Sequence, residues 1–176
     1  LLARNWPYII AALLAVMNTA IAEAVAPVTD VLDVRQISLS DQFGCAVTLG
    51  GALRCYGDNS HGQIGNGTSG TRLKLPVQVI ASGVSAVATG RLHACAVVNG
   101  ALLCWGDNNF GQLGNGSDRG IVVRPTQVIA NGVTAVAAGA VHTCALVSGA
   151  LQCWGSNRFG QFGSGAGRGK GGKVIS

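Results

Sequence analysis

His93-Ala94-Cys95-Ala96-Val97-Val98-Asn99-Gly100-Ala101-Leu102-Leu103-Cys104-Trp105-Gly106 is the stretch whose reading decides the fold. Asn-Gly between two apolar runs marks a two-residue type I′ turn, because both central residues of that turn take positive φ. Folding the chain at Asn99-Gly100 pairs Val98 with Ala101, Val97 with Leu102, Ala96 with Leu103 and Cys95 with Cys104. The pair flanking such a turn is hydrogen-bonded and the type alternates outward. The cysteines therefore fall on a non-hydrogen-bonded rung, where α-carbons stand about 4.5 Å apart. A disulfide accepts that separation. The spacing predicts that Cys95 and Cys104 staple their own hairpin.

The arrangement returns twice. Cys144 and Cys153 flank Ser148-Gly149, with Trp154-Gly155 behind them, and Cys45 and Cys55 flank a three-residue Leu49-Gly50-Gly51 loop, with Tyr56-Gly57 behind. Cys55, Cys104 and Cys153 follow one another at a step of 49 residues. A fixed period in this range signals a solenoid, a propeller or an array.

Composition bounds what such an array can be. With 11% charged residues, 27 glycines and 5% aromatics, the 176-residue chain is rich in turns and builds its core from Val, Ile, Leu and Ala. A net charge of +5, dispersed along the chain, does not point to nucleic acid. Six cysteines in three local pairs suit an oxidising compartment. Zinc would want Cys-x-x-Cys or close histidine pairs, which cysteines on opposite sides of a turn do not supply, so no metal or other cofactor is expected.

Residues 1–24 have the make-up of an export signal: Arg4, an apolar run from Tyr8 to Val16 that is short for a bilayer span, then small residues from Asn18 to Ala26. Cleavage is expected after Ala22 or Ala24, an uncleaved membrane anchor being the alternative. Removal of residues 1–24 takes Arg4 and Glu23, one charge of each sign, so that mature chain keeps +5. The expected product is secreted, displayed at the cell surface or periplasmic, with no stable membrane span.

A lead-in over residues 25–33 precedes repeat 1 at 34–83, repeat 2 at 84–132 and an incomplete repeat 3 at 133–167. Each repeat opens on an alternating apolar stretch, Val34–Leu39, Val84–Thr89 and Val133–Ala138, the period of a half-buried strand. The disulfide hairpin follows. On its cysteine-bearing face lie Val47 and Leu53, Val97 and Leu102, and Leu146 and Leu151; the opposite face carries Arg54, Leu103 and Gln152 at one equivalent position. Next comes a turn such as Gly57-Asp58-Asn59-Ser60-His61-Gly62-Gln63-Ile64-Gly65-Asn66-Gly67. It lacks the lysine of a phosphate-binding loop and the acidic end of a calcium loop. Asn and Gly at fixed places are expected to serve positive φ. The segments Thr68–Leu75 and Ser117–Arg124 differ between copies, and Pro76 and Pro125 are expected to start another short strand. Residues 168–176, rich in Gly and Lys, lack that last strand and read as a flexible tail or as the point where the reading frame stops.

The recurring Gly-x-x-His-x-Cys-Ala, Gly turn, and Leu-x-Cys-Trp-Gly-x-Asn-x-x-Gly-Gln-Leu-Gly-x-Gly resembles the repeat of the regulator of chromosome condensation family. The matching residues are Gly90, His93, Trp105, Gly106, Asn108, Gly111, Gln112, Leu113 and Gly114, with Gly139, His142, Trp154, Gly155, Asn157, Gly160, Gln161 and Gly163 in the third copy. The resemblance covers about residues 34–167. The first copy departs from it at Ser40, Phe43 and Tyr56, as a terminal repeat does. The resemblance implies an all-β fold, a β-propeller of about seven blades with about four strands each. This chain carries about three, which do not close a ring. It reads as the front part of a longer protein, or as a short form closed by self-association.

Function does not follow from a fold. The founding member of the family is a nuclear guanine-nucleotide exchange factor that binds chromatin, and an export signal with paired cysteines argues against both roles. The plant ultraviolet receptor of the family carries Gly-Trp-Arg-His-Thr, whereas here Gly90-Arg91-Leu92-His93-Ala94 and Gly139-Ala140-Val141-His142-Thr143 lack that tryptophan. A secreted bacterial relative inhibits β-lactamases, which fits the expected compartment. His93 and His142 recur with the repeat and are expected to serve the fold. His61 stands where Phe110 and Phe159 stand, in an aromatic slot. No nucleophile has an evident base, so a non-enzymatic protein-binding module is expected; an exported enzyme or inhibitor with its active surface in further blades is the alternative. The variable segments carry the candidate binding residues Arg72, Lys74, Asp118, Arg119 and Arg124. Loops at equivalent positions emerge on one side of a repeat array, so an unidentified protein partner is expected there.

Overall fold

A computed structural model of the chain describes residues 33–165. The expected export signal at 1–24, all but the last residue of the expected lead-in, and the expected tail lie outside the described residues. Among the described residues there is no helix, and three antiparallel sheets follow one another in sequence. The first takes β1 (Val34–Leu39), β2 (Phe43–Thr48), β3 (Leu53–Gly57) and β4 (Leu73–Ile80) in order. The second takes β5 (Val84–Thr89), β6 (His93–Val98), β7 (Ala101–Asp107) and β8 (Ile121–Ile129), and the third β9 (Val133–Ala138), β10 (His142–Val147) and β11 (Ala150–Gly155). Each sheet is a meander confined to one repeat, the form of a propeller blade.

The hairpins have the register that their turns dictate. Cys45 pairs with Cys55, Cys95 with Cys104 and Cys144 with Cys153, and each couple is joined by a disulfide with its α-carbons 4.1 Å apart. Asn99 and Gly100 take φ of 50° and 80°, and Ser148 and Gly149 take 51° and 83°, the pattern of type I′ turns. The first hairpin absorbs its extra residue with Gly51 at φ 77°, where its amide donates to the Thr48 carbonyl.

The outermost strands begin earlier than their prolines suggest. β4 starts at Leu73 and β8 at Ile121, so Lys74 and Arg124 belong to strands rather than loops. Pro76 and Pro125 sit inside register irregularities, between the pairs Gly57–Leu73 and Cys55–Val77 and between Gly106–Val122 and Cys104–Thr126. A bulge on an edge strand spares the amide that proline lacks.

The cysteine-bearing face of each blade packs on the opposite face of the next. Cys45, Val47, Leu53 and Cys55 share one buried core with Val84, Val87, Ala94, Ala96 and Trp105. Cys95, Val97, Leu102 and Cys104 share a second with Val133 and Ala145, against which Val136, Val147 and Trp154 pack. Burying both faces of the middle blade is the main apolar gain of the array, since each sheet alone would leave them wet. Arg54, Leu103 and Gln152 are half-buried on the opposite face, where Leu103 packs against the first of these cores.

Candidate interaction surface

The glycine-rich turn presents one carbonyl to the next blade. In the first blade, the buried Asn59 accepts a hydrogen bond from the Ile64 amide through Oδ1, while its Nδ2 donates to Asn66 Oδ1 and the Thr68 carbonyl. Gln63 closes the same turn: Oε1 accepts from the His61 amide and Nε2 donates to Asp58 Oδ2. Its main-chain carbonyl then accepts the indole proton of Trp105 from the second blade at 2.9 Å. Asn108 and Gln112 repeat the whole pattern, and the Gln112 carbonyl accepts from Trp154 of the third blade at 2.9 Å. The asparagines thus cap the turns with their side chains, whereas positive φ in these turns is carried by glycines alone. Gly65 is one of these, and an added Cβ would come within 2.6 Å of the Trp105 indole nitrogen.

A buried histidine adds a second link between blades two and three. His93 Nε2 lies 2.9 Å from Thr143 Oγ1, and that hydroxyl donates its one proton to the Gln112 carbonyl at 2.8 Å. Nε2 must therefore be the donor to Thr143, which leaves Nδ1 unprotonated and buried without a partner. Burial, and secondarily the neighbouring His142, push the His93 pKa down to about 4, so the ring is neutral. Burial also lowers the pKa of His142. Gly90 is required beneath the ring, because a Cβ there would stand 2.1 Å from His93 Cε1.

The junction of blades one and two is knit differently. Gln36 bonds both polar groups of Val87, donating to its carbonyl and accepting from its amide, each at 3.1 Å. Ser38 Oγ accepts from the Thr89 amide, Ser40 donates to the Arg91 carbonyl, and Arg35 donates to the Val84 carbonyl.

One exposed cluster has the composition of a hydrolase site without its proton order. Ser60 Oγ donates to Asp58 Oδ2 at 2.6 Å and lies 2.9 Å from His61 Nδ1. With its single proton on Asp58, the hydroxyl accepts from His61. In an acyl-transfer site the histidine instead takes the serine proton. The bond from Ser60 is the largest influence holding the Asp58 carboxyl below its usual range. The aromatic slot is only partly a slot: His61 is half-buried, Phe110 is 41% exposed and Phe159 is 84% exposed.

The five candidate binding residues, Arg72, Lys74, Asp118, Arg119 and Arg124, are all exposed. Arg72 lies between the first turn and β4, close enough to Asp58 to help lower its pKa. Lys74 and Arg124 project from the outer strands. The Arg124 guanidinium sits against Gly67 of the first blade, whose amide donates to the Val123 carbonyl. Arg124 thus lies across the end of the first blade's glycine-rich turn. Asp118 and Arg119 stay in the loop of the second blade as a loose ion pair at 3.9 Å. Thr143 and the turn-closing roles of Asn59 and Gln63 escaped the sequence reading, although their recurrence at fixed positions, or in one blade alone for Thr143, was visible.

Three stapled four- or three-stranded blades joined turn to indole define part of a β-propeller. Two models of the Regulator of chromosome condensation (RCC1) repeat match, one over residues 34–63, 84–112 and 133–161 and the other over 99–146. The chain belongs to this family. Among solved structures it is similar to human WBSCR16, at 25% identity and a TM-score of 0.63, over 69% of this chain and 33% of that one. It is also similar to yeast RCC1 (Prp20) with Kap60 bound, at 21% identity and a TM-score of 0.69, over 79% and 36% of the two chains. A further structure of Prp20p from Saccharomyces cerevisiae, described with its binding properties to Gsp1p and histones, gives 21% identity and 0.69 over 82% and 38%. The chain thus spans about a third of the length of the structures it matches. No curated protein matches it.

Proposed function

We propose that the chain is part of an exported, non-enzymatic protein-interaction module whose binding edge is formed by the variable segments. The observation that carries this reading is the exposure of Arg72, Lys74 and Arg124 on or beside the outermost strands β4 and β8, in a chain where only 11% of residues are charged. Arg119 adds a further exposed cation in the loop of the second blade, and its loose pairing with Asp118 costs little to exchange for a partner's carboxylate. The relatives support the class of partner: yeast RCC1 is described bound to Kap60, and Prp20p through its binding to Gsp1p and histones. Three disulfides and the composition of residues 1–24 support export, because such bonds persist in oxidising compartments.

Cross-linking in the culture medium of the native cell tests the binding edge. The wild-type chain and a variant with Arg72, Lys74, Arg119 and Arg124 each changed to Glu are compared at equal, verified folding. The reading predicts cross-links from the variable segments to an acidic surface of an exported protein, and their loss in the variant. Unchanged cross-linking would overturn it.

A further inference from the structure

The glycine-rich turns of the first two blades end on the same short motif. Asn66-Gly67-Thr68 and Asn115-Gly116-Ser117 both read Asn-x-Ser/Thr, the acceptor sequence for an N-linked sugar, and the third copy breaks it with Ser164 and Ala166. Both asparagines serve their turns through one end only. Asn115 Oδ1 accepts from Asn108 Nδ2 at 3.0 Å and from the Ser117 amide at 3.1 Å. Asn66 Oδ1 does the same for Asn59 Nδ2 and the Thr68 amide, and also takes the Thr68 hydroxyl proton. Among the described residues neither side-chain nitrogen has a partner, whereas Nδ2 of the capping Asn59 and Asn108 spends both its protons. The third turn forms with Ser164 in this place, so the turn itself does not call for an amide nitrogen.

Their surroundings separate the two motifs. Asn66 is half-buried, the Gly67 amide donates to the Val123 carbonyl at 2.8 Å, and the Arg124 guanidinium lies on Gly67. That motif is pinned against the second blade. Residues 114–120, by contrast, are all exposed, and a Cβ on Gly116 would meet nothing within 4 Å. The Ser117 hydroxyl turns away from Asn115 to the Arg119 backbone, donating to its carbonyl and accepting from its amide, each at 3.3 Å.

We propose that Asn115 is an N-glycosylation site, modified as the chain passes through a secretory compartment, which rests on the export reading above. The sugar donor is a lipid-linked oligosaccharide pyrophosphate, used by an oligosaccharyltransferase of that compartment. Asn115 Nδ2 bonds to the anomeric carbon of the first sugar. The bond from that carbon to the pyrophosphate oxygen breaks, and the lipid pyrophosphate leaves with the electron pair. Nδ2 gives up one proton and keeps the other. The sugar then stands in water, while Oδ1 keeps both of its turn hydrogen bonds.

The test expresses the 176-residue chain in a eukaryotic secretory host, once with its own leader and once with a host leader in place of residues 1–24. Intact glycopeptides are read by mass spectrometry, so that spontaneous deamidation at Asn115-Gly116 does not register. The host-leader chain should carry a glycan on Asn115, keep it in Ser117→Thr and lose it in Ser117→Ala. A host-leader chain bare at Asn115, or a glycan there that survives Ser117→Ala, would overturn the proposal. A glycan on Asn115 with the host leader but none with the chain's own would uphold the site and overturn export instead.

Discussion

His93 of the second blade donates its Nε2 proton to the hydroxyl of Thr143 in the third, while the equivalent residues one junction earlier, Phe43 and Ala94, are both apolar and buried. One repeat position has thus been filled in two mutually consistent ways. The flanking residue follows suit: Gly90 lies under the histidine ring, whereas Ser40 accompanies Phe43 and donates instead to the Arg91 carbonyl.

Swapping one solution for the other is the first prediction. Thr143→Ala leaves the buried Nε2 proton of His93 without an acceptor and should cost about 1–3 kcal/mol. His93→Phe/Thr143→Ala rebuilds the Phe43–Ala94 combination and should lose less than the two single changes together. A denaturant double-mutant cycle measures the coupling, and strict additivity would contradict the link.

Acid should weaken the fold in a defined window. The neutral His93 ring has a pKa of about 4 in the folded chain against 6.5 unfolded. The unfolded chain therefore binds the proton first, and stability present above pH 6.5 drains as pH falls toward 4. From this group the loss is about 2–3 kcal/mol, and His142, shifted the same way, adds to it. Asp58, also lowered, loses its contribution only as pH falls below the ordinary carboxyl value of 3.8 and so acts outside the window. Urea melts across pH 7.5 to 4.5 should slope for the wild type and slope less for His93→Phe/Thr143→Ala, which keeps only the His142 contribution.

Two glycines of like backbone separate strain from packing. Gly65 and Gly116 take φ of 82° and 84°. A Cβ on Gly65 meets the Trp105 indole, whereas one on Gly116 meets nothing within 4 Å. Both alanine variants bear the left-handed backbone cost. Gly65→Ala should lose about 1–3 kcal/mol more through displaced packing, together with a change in Trp105 fluorescence.

Much of this architecture was legible in the residues. Asn99-Gly100 and Ser148-Gly149 fixed the turns, the turns fixed the rungs, and the rungs placed the cysteines. The period of 49 residues then turned one hairpin into three blades. The outer strands were legible only from their prolines onward, because the bulges around Pro76 and Pro125 are set by pairing with β3 and β7, which a local pattern does not carry. The candidate surface was harder still. That Arg124 rests on Gly67 of the preceding blade depends on how blades stack, and so does the choice between Phe43 and His93.

The central claim, an exported array of blades each stapled across its own hairpin, is tested most directly by non-reducing peptide mapping of the chain after expression with its own leader in an exporting host. The account predicts a mature start at Glu23 or Val25 and the three bonds Cys45–Cys55, Cys95–Cys104 and Cys144–Cys153. A chain retained in the cytosol with Leu1 in place and six free thiols, or bonds running between blades, would contradict it.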